Sequence, residues 1–125
     1  MYVLQMRPVE QVRVDQERLG ILYDQLGESG AEDVVCRAME ELALRLSHCK
    51  KLHKDQDRAG LRKSVHRLIA IAEQVGMALV AQVATDVMIC IDAGDDIATA
   101  ATLSRLIRSG ERSLTAIWDL PDITI

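Results

Sequence analysis

At 125 residues the chain has the length of one domain, enough to bury a single core without disulfide or metal staples. Hydrophobic residues make up 49%, yet there is no Phe, one Trp and two Tyr. The core is therefore built from Leu, Ile, Val, Ala and Met, and a base-stacking nucleic-acid platform is disfavoured. The net charge of −4 gives no global attraction for DNA, RNA or anionic lipid.

Ala and Leu are strong helix formers and only two Pro interrupt the chain, which favours an all-α fold. Residues 1–7 form a short lead-in. Pro8 suits the first position of a helix, where a missing N–H costs nothing. Val9, Val12, Leu19, Leu22, Tyr23 and Leu26 continue that helix over about 8–26, and Gly27 is placed to terminate it. Ser29 and Glu32 have capping-box spacing. Behind them Val35, Met39, Leu42, Leu46, Cys49 and His53 fall on one stripe, predicting a helix over 30–54.

Residues 55–57 make the next turn, with Asp57 as N-cap of a helix over 57–75. Its apolar residues Leu61, Val65, Leu68, Ala72 and Val75 recur at helical spacing, Gly60 weakens its first turn, and Gly76 ends or kinks it. Met77, Val80, Val83, Val87, Cys90 and Ile91 mark a helix over 77–93, stopped near Ala93 and Gly94. Asp95 or Asp96 then caps a helix over 95–119 with Ile97, Ala100, Leu103, Leu106, Ile107, Leu114, Ile117 and Trp118. Gly110 suggests a bend there, and 120–125 form an apolar tail. Long helices joined by turns of a few residues pack antiparallel to their neighbours. The expected fold is all-α: an up-down antiparallel four-helix bundle with an additional N-terminal helix, one domain over 1–125.

Three widely spaced cysteines, Cys36, Cys49 and Cys90, each in a helical pattern, are expected to be buried, reduced thiols, and no basic leader or run of about 18 apolar residues is present. The expectation is a cytoplasmic, soluble protein. Charge is unevenly distributed: Arg45, Lys50, Lys51, Lys54, Arg58, Arg62, Lys63 and Arg67 are answered locally only by Asp55 and Asp57. Such a basic face suits an acidic protein partner, or is simply a solvated helix surface.

His66 lies well off the apolar stripe of its helix, toward the polar side. Arg62 is one turn before it and Ala70 one turn after. An outward imidazole beside cations, with a methyl where a bulky group could stand, is approachable by something large. His66, Leu68 and the Val75–Gly76 pair, with Gly76 ten residues after His66, resemble the phosphorylation helix of histidine-containing phosphotransfer (HPt) domains. That resemblance implies a four-helix bundle whose exposed histidine carries a phosphoryl group between receiver domains. His66 would be the phosphoryl acceptor, with Arg62, Lys63 and Arg67 stabilising charge and Ala70 leaving room. The partners would be a response-regulator receiver domain, a sensor histidine kinase, or both, with no nucleic acid or membrane; a monomer is expected. No cofactor is implied for the chain itself, because the receiver would supply Mg²⁺. Two positions depart from the family pattern: Ile69 stands where a Lys is usual, and Ala70 where a Gly is usual. Two alternatives use the same helices, an HPt-like adaptor or inhibitor that docks without carrying phosphate, and a purely structural helical bundle.

Two further clusters invite chemistry. Cys49 and His53, four apart, can share a helical face as in a zinc site, but core packing accounts for them with fewer ligands. Asp92, Asp95 and Asp96 flank a turn yet lack the alternating ligands of a calcium loop, and helix capping accounts for them. No Gly-rich phosphate loop or Cys/His nucleophile pair accompanies them.

Overall fold

The computed structural model describes residues 16–118, which form four helices: α1 (Gln16–Lys54), α2 (Arg58–Gln74), α3 (Ala78–Asp92) and α4 (Asp96–Trp118). Each helix packs on the next, and α1 also meets α4. No strand occurs among the described residues, so the all-α expectation holds. Pro8, Val9, Val12, the tail 120–125 and the side chains of Ile117 and Trp118 lie outside the described residues.

Helix α1 is two arms meeting at Gly27, whose φ of 75° and ψ of 171° are non-helical. That combination is open essentially only to Gly, because a Cβ there meets the backbone. The first arm buries Leu19 and packs Leu22 on the core. The second buries Val35, Met39, Leu42, Leu46 and Cys49, as their spacing predicts. The separation of two helices after residue 26 is thus a kink, and Ser29 lies inside the second arm instead of capping it.

His53 departs from its expected place on the α1 stripe. The space opposite it is an open cavity of about 540 Å³, also lined by Leu52, Leu61, Ile91 and Thr99, so His53 is exposed.

The three connections, 55–57, 75–77 and 93–95, share one hydrogen-bonding device. In each, the third residue donates its N–H to a carbonyl five residues back: Asp57 to Leu52 at 2.9 Å, Met77 to Ala72 at 2.8 Å and Asp95 to Cys90 at 3.2 Å. The middle residue donates to a carbonyl three back: Gln56 to His53, Gly76 to Glu73 and Gly94 to Ile91. This is the Schellman closure, which satisfies the last carbonyls of a helix and needs a left-handed residue at its centre. Gly76 (φ 76°) and Gly94 (φ 71°) supply it without strain, whereas Gln56 (φ 59°) carries a Cβ there. The third residue of each turn is at once the first cap of the next helix. Asp57 accepts from Gly60 N at 2.9 Å, and Asp95 accepts from Ala98 N at 3.0 Å. Met77 makes no such side-chain bond.

Glycine at 60 belongs to the cap more than it weakens the helix. A Cβ there would stand 2.5 Å from Asp57 Oδ2 and 2.9 Å from Leu52 Cδ2. Gly110 likewise does not break α4, which runs through it as one helix. It admits Leu46 of α1, whose Cδ1 would lie 2.5 Å from an added Cβ.

The core joins Leu61, Val65, Leu68, Ala72 and Val75 of the α2 region to Met77, Val80, Val83, Val87 and Ile91, with Leu103 and Leu106 from α4. Ile97, expected on the α4 stripe, is 84% exposed. At 100° per residue it sits about 120° from Leu103, and Thr99 takes the inward place instead. No described helix is long and apolar enough to cross a membrane.

The shared turn device makes an opposite-sign prediction. Gln56→Gly should raise unfolding stability by roughly 1 kcal/mol, and Gly94→Ala should lower it by a similar amount. Chemical denaturation of the two variants checks both, since an Ala at 94 would meet no atom within 4 Å and reports the backbone alone.

Candidate functional site

Burial of the α2 stripe decides where His66 points. With Val65 and Leu68 both fully buried, His66 is carried round the helix to the exposed face, together with Arg62, Lys63, Arg67 and Ala70. Among the described residues the His66 imidazole makes no hydrogen bond and no ion pair. Ile69 is half-buried against the core, which accounts for an apolar residue at that position. Ala70 is exposed one turn beyond His66 and presents only a methyl.

His66 borders an open groove of about 990 Å³ between α1 and α2. Glu41, Arg45 and His48 line it from α1, and Lys63, His66, Arg67 and Ala70 from α2. Glu41 is the residue that the sequence reasoning missed. Its signal was the spacing 41, 45, 48, which sets three polar residues on one side of α1.

The basic run around this groove is largely neutralised. Arg62 Nε donates to Asp92 Oδ1 at 2.7 Å and Nη2 to Oδ2 at 3.1 Å, a two-point contact from α2 to the end of α3. One turn earlier, Arg58 Nη2 donates to Asp96 Oδ1 at 2.6 Å. Arg67 Nε donates to Glu41 Oε1 at 3.0 Å, across to α1. Lys50 lies 3.6 Å from Glu111, and Arg45 lies 3.9 Å from Glu41. Lys51, Lys54 and Lys63 have no ion-pair partner among the described residues. Thus, of the three cations expected to attend His66, Arg62 and Arg67 are held by carboxylates and Lys63 has no such partner among the described residues.

Hydrogen bonding to Arg62, reinforced by its charge, holds the Asp92 carboxyl below the usual carboxylate range. The same bond raises the Arg62 guanidinium in turn. The three aspartates that flank the 93–95 turn therefore have separate structural work: Asp92 binds Arg62, Asp95 caps α4, and Asp96 binds Arg58.

Cys49 and His53 do not converge. Cys49 is fully buried and its thiol donates to Ser64 Oγ of α2 at 3.4 Å, while His53 faces the cavity at the other end of the turn. Burial pushes the Cys49 thiol up, against a smaller opposing effect of the Ser64 contact. Of the three cysteines expected to be buried only Cys49 is: Cys36 lies on the exposed side of α1 and Cys90 is half-buried, and all three thiols are free. Among the described residues no three His, Cys, Asp or Glu side chains are arranged to hold a metal ion.

No family model matches the chain, and no curated protein or solved structure matches it either.

The Arg62–Asp92 contact predicts a pH-dependent difference. A carboxyl whose folded pKa is depressed contributes stability above its unfolded pKa, about 3.9, and loses it as pH falls through the lower folded value. Arg62→Gln should therefore lower the melting temperature near pH 7. The gap from the wild type should narrow as the pH is brought below about 4. Paired thermal melts across that range check it; a gap that widens on acidification would refute the assignment.

Proposed function

We propose that the protein is a histidine phosphotransfer protein, an up-down antiparallel four-helix bundle that carries a phosphoryl group on His66 between receiver domains. The observation that carries this reading is the state of His66: exposed on α2, beside an open groove, with no hydrogen bond from its ring to the described protein. Such a ring can turn a nitrogen lone pair toward an incoming electrophile, and nothing in its surroundings must be displaced first. The 16–26 arm of α1 takes the role of the additional N-terminal helix.

In the forward step a His66 ring nitrogen attacks the phosphorus of the receiver's aspartyl-phosphate. An N–P bond forms, the P–O bond to the aspartyl carboxyl breaks, and the carboxylate leaves with that bonding pair. The reverse step passes the group to a second receiver. Phosphoryl transfer is chiefly positioning and electrostatics, so the carrier needs a nucleophile, one or two cations and space. Lys63, three residues before His66 and free of ion pairs, supplies charge on the same face, and Ala70 leaves room for the partner. The receiver contributes Mg²⁺ and the acidic pocket, so the chain is a carrier and not an autonomous enzyme. The resemblance of His66, Leu68 and Gly76 to the HPt helix points to a receiver domain, a sensor histidine kinase or both as partners, and to a cytoplasmic monomer.

One observation favours a second reading, a docking module that carries no phosphate. Arg62 and Arg67 are engaged with Asp92 and Glu41, and Ile69 is packed on the core where the family has a Lys. A single experiment separates the two. The purified protein and its His66→Gln variant are offered a panel of receiver domains labelled as aspartyl-phosphate. Acid-labile label on the wild type alone is the expected result. Label on both proteins equally, or binding of a receiver with no label on either, would sink the carrier reading.

A further inference from the structure

The ion-pair pattern beside His66 leaves one donor unsatisfied. Arg45 projects from α1 one turn after Glu41, on the side turned to α2, and lines the groove that His66 borders. Its side chain is 28% exposed, yet its Nε is shut off from solvent and has no hydrogen-bond partner among the described residues. The Glu41 carboxylate oxygen 3.9 Å away is within ion-pair reach but too far for a hydrogen bond. That same oxygen already accepts from Arg67 Nε at 3.0 Å. One carboxylate oxygen thus faces two guanidinium groups and satisfies one of them. A buried donor without an acceptor is costly and marks the Arg45–Glu41 pairing as poorly matched, while the exposed part of the Arg45 side chain borders the groove and presents its charge to an anion entering there.

We propose that Arg45 is the cation that holds the phosphoryl group once it is on His66, and that Glu41 occupies Arg45 weakly until that group arrives. This inference rests on the carrier reading. The dianionic phosphoryl group offers three acceptor oxygens, and a guanidinium binds two of them in its planar fork. It outbids a carboxylate that is shared with Arg67 and makes no hydrogen bond to Arg45. Arg62 and Arg67 keep their partners Asp92 and Glu41, so carrying phosphate does not require the contacts between α2 and its neighbours to break.

Phosphoramidate tests this without any partner protein. A histidine nitrogen attacks its phosphorus, the new N–P bond forms, and the donor's own P–N bond breaks. Ammonia leaves with the bonding pair and takes up a proton released by the ring. The exposed His53 lines a different cavity and serves as an internal reference, while His48 borders the same groove, so occupancy is read site by site. Arg45→Gln should lower phosphoryl occupancy of His66 by roughly threefold, the size expected of a partly exposed ion pair, and leave His53 unchanged. Arg45→Lys should recover part of the loss, and Glu41→Gln should raise occupancy of His66. Normal labelling of His66 that neither Arg45→Gln nor Glu41→Gln alters would overturn the assignment and leave the carrier reading intact. A loss shared equally by His53 would mark a structural effect and also overturn it. Label on His53 but none on His66 in the wild type would remove both.

Discussion

The face that α2 turns inward sets everything that happens on its outer side. Leu61, Val65, Leu68 and Val75 each leave water almost completely, and burying a side chain of this size stabilises by about 1.5–3 kcal/mol. Ser64, Ile71 and Ala72 fill the remaining inward positions. Turning α2 by one residue would expose several of these and bring Arg62 and His66 toward the core. No set of surface ion pairs, at roughly 0–1 kcal/mol each, could offset that. The outward imidazole is therefore a consequence of core packing, and it is held without a hydrogen bond that would occupy its nitrogens.

Around this fixed azimuth the charges act as trim. Arg58 and Arg62, four apart on α2, reach Asp96 and Asp92 on either side of the 93–95 turn. Arg67 reaches the other way, to Glu41 on α1. These contacts are exposed and individually weak, but together they tie α2 to both neighbours and remove much of the positive potential that the sequence suggests. What remains near His66 is a small set: Lys63, with no carboxylate partner among the described residues, and Arg45, whose Nε stands 3.9 Å from Glu41, beyond hydrogen-bond distance.

The helices were legible because their ends are punctuated. Asp57, Gly76, Gly94 and Asp95 are cap and left-handed residues, and each expected boundary from 54 to 95 lies within one residue of the observed one. Gln56 shows the limit of such signals, since it occupies the same left-handed position as Gly76 and Gly94 with nothing in its identity to announce it. Periodicity failed where packing, not angle, decides exposure: His53 keeps the right angle but faces an open cavity. Gly110 and Gly60 were read through their effect on the helix, while the structure uses them for contact, with Leu46 and with the Asp57 cap. The pairing of the cations was out of reach for a simpler reason. Arg62 and Asp92 are thirty positions apart, Arg67 and Glu41 twenty-six, and partner choice at such separations depends on how helices are set against one another.

The most direct test of the account is the hydrogen-bonding state of the His66 ring, read by long-range ¹H–¹⁵N NMR correlations on the full chain. The account predicts ring N–H protons that exchange rapidly with solvent at His66, as at an isolated surface histidine. A slowly exchanging ring proton at His66, or nitrogen shifts that report a bond to a protein acceptor, would contradict it, because the ring would then be occupied by the fold itself.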